Sequence, residues 1–284
     1  MSRKDFIRRM RKSKLFIIGL AGILAIALLC FLSPLFAQFN PTKSELSNRL
    51  LEPEWFSKGL GGHVFGCDSM GRDVLTRLLI GGRTSLLIAF SVVIITTLIG
   101  LVIGLLAGYY GGVMDLMLMR VCDIMMALPT LLLAICVVAV MGASVTNLVV
   151  VLSITGWIMV ARVVRSTVMT IRNSEYIKAA IVLGIPNYKI IFKEVLPNVV
   201  SPVIITATQA FGGMILTEAS MSFLGLGVPA PAPSWGAMIS DGREYIATAP
   251  WVVIVPGIAL MLVVLAFNFL GDGLNDIMNP KNKD

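Results

Sequence analysis

Glu175-Tyr-Ile-Lys178-Ala179-Ala180-Ile-Val-Leu-Gly184-Ile-Pro186-Asn187-Tyr-Lys189-Ile190-Ile191-Phe-Lys193-Glu194-Val195-Leu196-Pro197 is a polar segment between two uncharged apolar runs, and it reads as two short helices held at a fixed angle. Ser174 is placed to cap the first helix, Glu175 falls in its first turn, and Gly184 followed by Pro186 stops it. Asn187 is placed to cap the second, whose Ile190, Ile191 and Val195 share one side before Pro197 ends it. Ala179 and Ala180 keep one face small, so another surface can come close to the backbone, and Gly184 permits the left-handed turn that reverses the chain. Such a hairpin is a handle for another protein to push. With Lys178, Lys189 and Lys193 along it, it reads equally as an amphipathic hairpin resting on lipid headgroups. Spacing alone leaves both readings open.

On both sides of the hairpin the chain suits hydrocarbon. Hydrophobic residues make up 57% and charged residues 14%, far from the balance of a soluble domain. Six stretches carry no charge: 15–37, 86–108, 124–143, 144–161, 199–217 and 249–271. Each approaches or exceeds the ~20 residues a helix needs to cross a bilayer, so the expected fold is an all-α membrane protein with six transmembrane helices. The first stretch follows a basic start, as a signal peptide does. Its apolar run exceeds the ~7–15 residues of such a leader and no clear small-x-small cleavage site follows, so it is expected to be a retained helix.

Placing the N-terminus inside puts segments 1–14, 109–123, 162–198 and 272–284 on the cytoplasmic face. They hold most of the 23 lysines and arginines, while the acidic residues divide evenly. Both termini and the hairpin are then cytoplasmic. The net charge of +7 is an inside excess that requires no nucleic acid partner. Arg72, Arg77 and Arg83 run against this pattern and suggest an interfacial helix ahead of the second span. Of the four cysteines, Cys30, Cys122 and Cys136 lie in or beside spans and only Cys67 looks exposed outside, so no disulfide framework is implied.

Several chemistries are missing. There is no G-x-x-x-x-G-K-[ST] loop, no His-Glu-x-x-His, no Gly-x-Ser-x-Gly and no pair of intramembrane carboxylates. The chain is not expected to be an enzyme or to carry a cofactor or metal. A self-sufficient secondary transporter or channel is disfavoured by the scarcity of ionisable residues in the spans and the lack of an inverted repeat. Uphill movement needs energy from another chain.

The segment 175–197 resembles the cytoplasmic coupling loop of ABC-importer permeases, Glu-Ala-Ala, three residues, Gly, nine residues, Ile-x-Leu-Pro. Ala179, Ala180, Gly184, Leu196 and Pro197 match; Lys178 stands where the pattern has Glu, Glu194 where it has Ile, and Glu175 lies one turn earlier as a substitute carboxylate. His63-Val-Phe-Gly-Cys-Asp68-Ser-Met-Gly-Arg72-Asp73-Val-Leu-Thr-Arg77 with Gly82-Arg83-Thr-Ser-Leu is similar to the run before the second helix in the peptide/nickel group. Thr217-Glu218-Ala-Ser-Met-Ser-Phe-Leu-Gly-Leu-Gly227 with Pro233-Ser-Trp235-Gly236 is similar to that group's fifth-helix end and following loop.

The resemblance covers essentially the whole chain and points to the "C"-type subunit of dipeptide and oligopeptide importers. It implies the type I importer permease fold in the cell (inner) membrane. Residues 1–83 would form the basic tail, first helix and extracytoplasmic segment. Residues 84–284 would form a five-helix permease core with the coupling loop within 162–198. It further implies a homologous second permease, two ABC ATPases that bind ATP and Mg, and an extracytoplasmic solute-binding protein. The same architecture also carries nickel or other metal chelates, or glutathione.

Other features support two readings each. Gly100, Gly104, Gly108 and Gly112 form a small-xxx-small stripe, for the partner permease or, more simply, for packing within the chain. Glu218 stands on a cargo path or outer gate, or at a helix end in the headgroup layer. The proline-rich loop 226–248 with Trp235 is stiff and shallow, either capping the pore and meeting the binding protein or only connecting helices. Arg120 and Asp123 are spaced to pair, and His63 near Asp68 is too small a set for a metal.

Overall fold

In hydrocarbon a peptide group has no water to bond, so each apolar run closes its own hydrogen bonds as a helix. The computed structural model describes residues 3–36, 39–55 and 62–278. The C-terminal tail, with Lys281 and Lys283 of the inside charge count, and Lys58 of the outside count lie outside the described residues. The chain starts with α1 (Arg3–Lys12), α2 (Lys14–Phe31) and a short α3 (Ser33–Phe36), and α4 (Val74–Tyr110) is the first long span. α5 (Gly112–Ala127), α6 (Thr130–Met141) and α7 (Val145–Arg172) follow, and the hairpin adds α8 (Glu175–Val182) and α9 (Asn187–Ile190). α10 (Leu196–Phe223), α11 (Trp235–Gly242) and α12 (Trp251–Met278) complete the fold. Among the described residues five helices are long and apolar enough to cross a membrane, six when the bent pair α5–α6 counts as one.

The third crossing differs in its bounds from the charge-free run 124–143. It starts at Gly112 and is folded by 79° between α5 and α6. Pro129 is the reason: its ring forces Leu128 out of the helical region, to φ −88° and ψ 117°. The first apolar run also ends earlier than expected, at Phe31 rather than 37.

α4 and α7 form the central pair. A methyl group on Gly100 would lie 2.7 Å from Trp157 O, on Gly104 2.6 Å from Ala161 O, and on Gly108 2.8 Å from Arg165 O. Only glycine lets these backbones lie so close, which replaces side-chain contact by backbone dispersion. These three glycines face α7 of the same chain. Gly112 does not join them: it follows a break at Gly111, has φ +55°, and meets nothing within 4 Å. The N-terminal span α2 packs on α12, with Gly19 against Leu270 and Gly273 against Phe16. Its other end reaches the start of α4, where Cys30 and Trp235 fill the space above Gly82. The start of α2, the end of α12 and the hairpin therefore lie at one end of the bundle. The described residues of the 39–73 stretch, 39–55 and 62–73, lie with α11 at the other.

That second end is held by charge. Arg72 and Arg77 are both buried, so no exposed interfacial helix carries them. Arg72 Nε donates to Asp68 Oδ2 at 2.7 Å and its Nη2 to Asp241 Oδ2 at 3.3 Å, while Arg77 stands 3.4 Å from Asp68 and 3.5 Å from Asp241. Each carboxylate thus meets two guanidinium groups, and these pairings make the burial of Asp68, Arg72 and Arg77 tolerable, with Asp241 closing the set from the exposed side. Cys67 is fully buried rather than exposed. Burial and the nearby charges of Asp73 and Asp68 push its thiol up to about 12. His63 Nδ1 lies 3.0 Å from Asp73 Oδ1, whose other oxygen caps α4 by accepting from Thr76 N at 2.7 Å. Among the described residues no cluster of His, Cys, Asp or Glu is fit to hold a metal.

Candidate functional site

The hairpin grows from the end of α7. Asn173 and Ser174 turn the chain, and Ser174 occupies the cap position of α8 without capping it: its hydroxyl donates back to Ile171 O at 2.6 Å. Glu175 sits in the first turn, where the helix dipole favours a carboxylate. α8 closes in a Schellman turn. Gly184 N donates to Ile181 O at 3.0 Å and Ile185 N to Ala180 O at 3.1 Å, with Gly184 at φ +74°. Pro186 then starts α9.

The second arm departs from the sequence expectation in two places. Asn187 does not cap it; Pro186 holds that position, and Asn187 Oδ1 instead accepts from the Tyr109 hydroxyl at 3.0 Å. Nor does Pro197 end it. Asn187–Phe223 is one continuous helix, in which a π segment at Ile191–Val195 joins α9 to α10. Pro197 has no N–H to give the carbonyl four residues earlier, and the wider turn makes room for its ring. Asn198 Nδ2 donates to Glu194 O at 2.6 Å across the same turn.

Burial divides the hairpin in two. Ile177, Ile190 and Val195 are fully buried and pack with Tyr109, Val164, Val168 and Val199. At the tip, Val182 is 87% and Leu183 78% exposed, and Ile185, Tyr188 and Phe192 are exposed beside them. Lys178, Ala179, Lys189, Lys193, Glu194 and Pro197 are exposed too, whereas Ala180 and Leu196 are half-buried. Between the arms lies a recess of about 630 Å³ bordered by Tyr176, Leu183, Gly184, Lys189, Lys193 and Glu194. A methyl group on Gly184 would meet nothing of this chain within 4 Å. The result is an apolar knob ringed by lysines on a rigid base, without nucleophile, acid–base pair or metal ligands.

Glu218 and Trp235 are not part of this site. Both lie at the opposite end, and both are enclosed by this chain. Glu218 is 0% exposed. Its Oε1 accepts from Ser222 Oγ at 2.8 Å, while Oε2 makes no hydrogen bond of good geometry beside the nearby Ser85 and Ser234 hydroxyls. Trp235 is a core residue: it is 1% exposed, with its indole N–H on Leu78 O at 2.9 Å. Loop 226–248 is thus anchored inward through α11.

Sequence reasoning missed the supports of the hairpin. Tyr109 is one. Arg165, on the same helix as the glycine-facing residues, grips Asp115 of α5 with two hydrogen bonds, Nη2–Oδ2 at 2.6 Å. Asp123 pairs with Arg162 of α7 at 2.8 Å rather than with Arg120. The paired tyrosines just before Gly111-Gly112 were the available signal, since aromatic residues with polar tips gather at helix ends near water.

Residues 100–284 match the family model described as the binding-protein-dependent transport system inner membrane component, and residues 3–53 match the N-terminal transmembrane domain of oligopeptide transport permease C. The dipeptide transport system permease protein DppC of Alkalihalophilus pseudofirmus is 42% identical over 99% of this chain and 90% of its own length. The oligopeptide transport system permease protein OppC of Bacillus subtilis is 37% identical over 98% and 89%. The glutathione transport system permease protein GsiD of Pectobacterium atrosepticum is 44% identical over 78% and 73%. Among solved structures, the inward-facing MetNI methionine ABC transporter superposes with a TM-score of 0.58, covering 71% of this chain and 96% of that one at 19% identity, a likeness of fold. Helical architecture and family models agree, and the chain belongs to the inner-membrane permease components of binding-protein-dependent transport systems, the ABC importers.

Proposed function

We propose that this permease is the C-type subunit of an importer for dipeptides and oligopeptides, and that the hairpin around Gly184 receives the stroke of a cytoplasmic ATPase. The observation that carries the second part is the division of the hairpin: an exposed apolar tip, Val182 and Leu183, on a base locked by Ile177, Ile190 and Val195. Exposed apolar surface at the membrane–water boundary is stable when a partner covers it, and a locked base passes force on rather than absorbing it. Lys178, Lys189 and Lys193 around the tip also fit the cytoplasmic face, which assigns the start of α2 and the end of α12 to that face. Peptide cargo is supported by the names of the dipeptide and oligopeptide relatives, and glutathione, itself a short peptide, stays within that class.

In this reading the chain lines half of the pathway and a homologous permease lines the other. Two ATPases bind ATP and Mg and grip the two hairpins, and a solute-binding protein delivers cargo to the end that carries α11. ATP closure pulls the hairpins together and opens the pathway outward; hydrolysis resets it.

Purification of the tagged chain from its own membrane should bring both the second permease and the ATPase. Leu183→Glu, which places a charge on the tip, should release the ATPase, retain the second permease and abolish ATP-driven uptake of labelled dialanine. Retention of the ATPase with normal uptake in that variant overturns the docking assignment.

A further inference from the structure

The hairpin joins the membrane bundle through three connections of unequal stiffness. α8 continues α7 across a two-residue turn, Asn173-Ser174. α9 continues into α10 through the π segment Ile191–Val195, a stretch where the hydrogen-bond register is widened by one residue and slips easily between neighbouring patterns. The third connection is lateral. Tyr109, 3% exposed near the end of α4, donates its hydroxyl to Asn187 Oδ1 at 3.0 Å, and the Arg172 guanidinium lies 5.9 Å from the centre of its ring.

The apolar contacts of Ile177, Ile190 and Val195 resist separation but tolerate sliding, because dispersion is not directional. A hydrogen bond is directional and fixes register. Asn187 is the first residue of α9, on the tip side of the π segment, so the bond joins the hairpin to α4 ahead of the soft point. α4 is in turn locked to α7 by Gly100, Gly104 and Gly108.

We propose that Tyr109 is a positioning residue for energy coupling: through Asn187 it transmits hairpin displacement directly into the α4–α7 pair, bypassing the slack of the π segment. This rests on the reading of the hairpin as the ATPase docking element. The role needs only one donor on Tyr109 and one acceptor at position 187, so aspartate, which keeps the acceptor, supports it and leucine does not.

The test uses the complete importer, with second permease and ATPases, in lipid nanodiscs. The four native cysteines are replaced, and spin labels are placed at Val182→Cys on the tip and Leu106→Cys on the exposed side of α4. Distance distributions are compared between the nucleotide-free and ATP–vanadate states. In the parent chain and in Asn187→Asp the distance should stay fixed, because tip and α4 move together. In Tyr109→Phe and Asn187→Leu it should shift with nucleotide by at least about 1.5 Å, one residue of helical rise. The double variant should shift no more than either single one. A fixed distance in Tyr109→Phe, a nucleotide-driven shift already present in the parent, or additive shifts in the double variant overturn the inference. Oxidative disulfide trapping between unlabelled Val182→Cys and a cysteine placed on the ATPase, scored in parallel samples of each variant, separates this from failure of the docking reading, which predicts no trapping in any of them.

Discussion

Gly184 offers a clean separation of backbone conformation from steric bulk. It holds φ +74°, and no atom of this chain outside its immediate neighbours lies within 4 Å of where a Cβ would stand. A substitution therefore pays inside this chain only for the left-handed backbone, about 1–2 kcal/mol for alanine, more for β-branched valine and less for asparagine. Since 1.4 kcal/mol is a tenfold change in population, alanine should leave the reversed hairpin about five- to thirty-fold less favoured than glycine does. Uptake by vesicles containing the complete importer, at limiting ATPase, should rank Gly184 first, then asparagine, alanine and valine. Circular dichroism and surface expression should remain equal across the series. Valine behaving like glycine refutes the argument that the left-handed turn is required. Asparagine as poor as valine refutes the conformational account in favour of a clash with the docked partner.

Three further outcomes follow from packing and charge. Gly104→Val should lower the thermal stability of the chain in detergent by about 1–3 kcal/mol, since its Cβ would press on Ala161 O at 2.6 Å; melting followed by size-exclusion fluorescence reads this. Trp235→Ala should cost about 3–5 kcal/mol and expose the 226–234 loop to protease. Cys67 should resist impermeant maleimide at pH 8 until the protein is unfolded. Its folded thiol titrates at about 12 against about 8.5 for an unfolded one, so this stability contribution is full below about pH 8.5 and is lost as pH rises toward 12. Cys67→Ala should flatten that alkaline decline in melting temperature.

The hairpin and the glycine stripe were legible because both rest on spacing within one stretch of chain. Gly184 and Pro186 fix a turn whatever surrounds them, and residues four apart share a helix face before any partner is known. What escaped depends on contacts between distant segments. Ser174 and Asn187 have the chemistry of caps, but Ile171 O and the Tyr109 hydroxyl compete for the same atoms, and the competitors win. Glu218 reads as a helix-end residue because Ser85 of α4, which stands beside its carboxylate, is remote in sequence. Pro129 marks a point in the sequence where a span can bend, but the size of the 79° fold was not legible, because hydropathy records how apolar a run is and carries no information about its direction.

The ionic knot of buried Asp68, Arg72 and Arg77 with exposed Asp241 also bears on the order of assembly. Asp241 follows Arg77 by 164 residues, so a nascent chain presents both arginines long before that carboxylate has been synthesised. Asp68, four residues ahead of Arg72 and bonded to it at 2.7 Å, supplies a local counter-charge in the interval. The two arginines are thus half neutralised from within their own segment, and the carboxylate on α11 completes the charge balance at that end of the bundle.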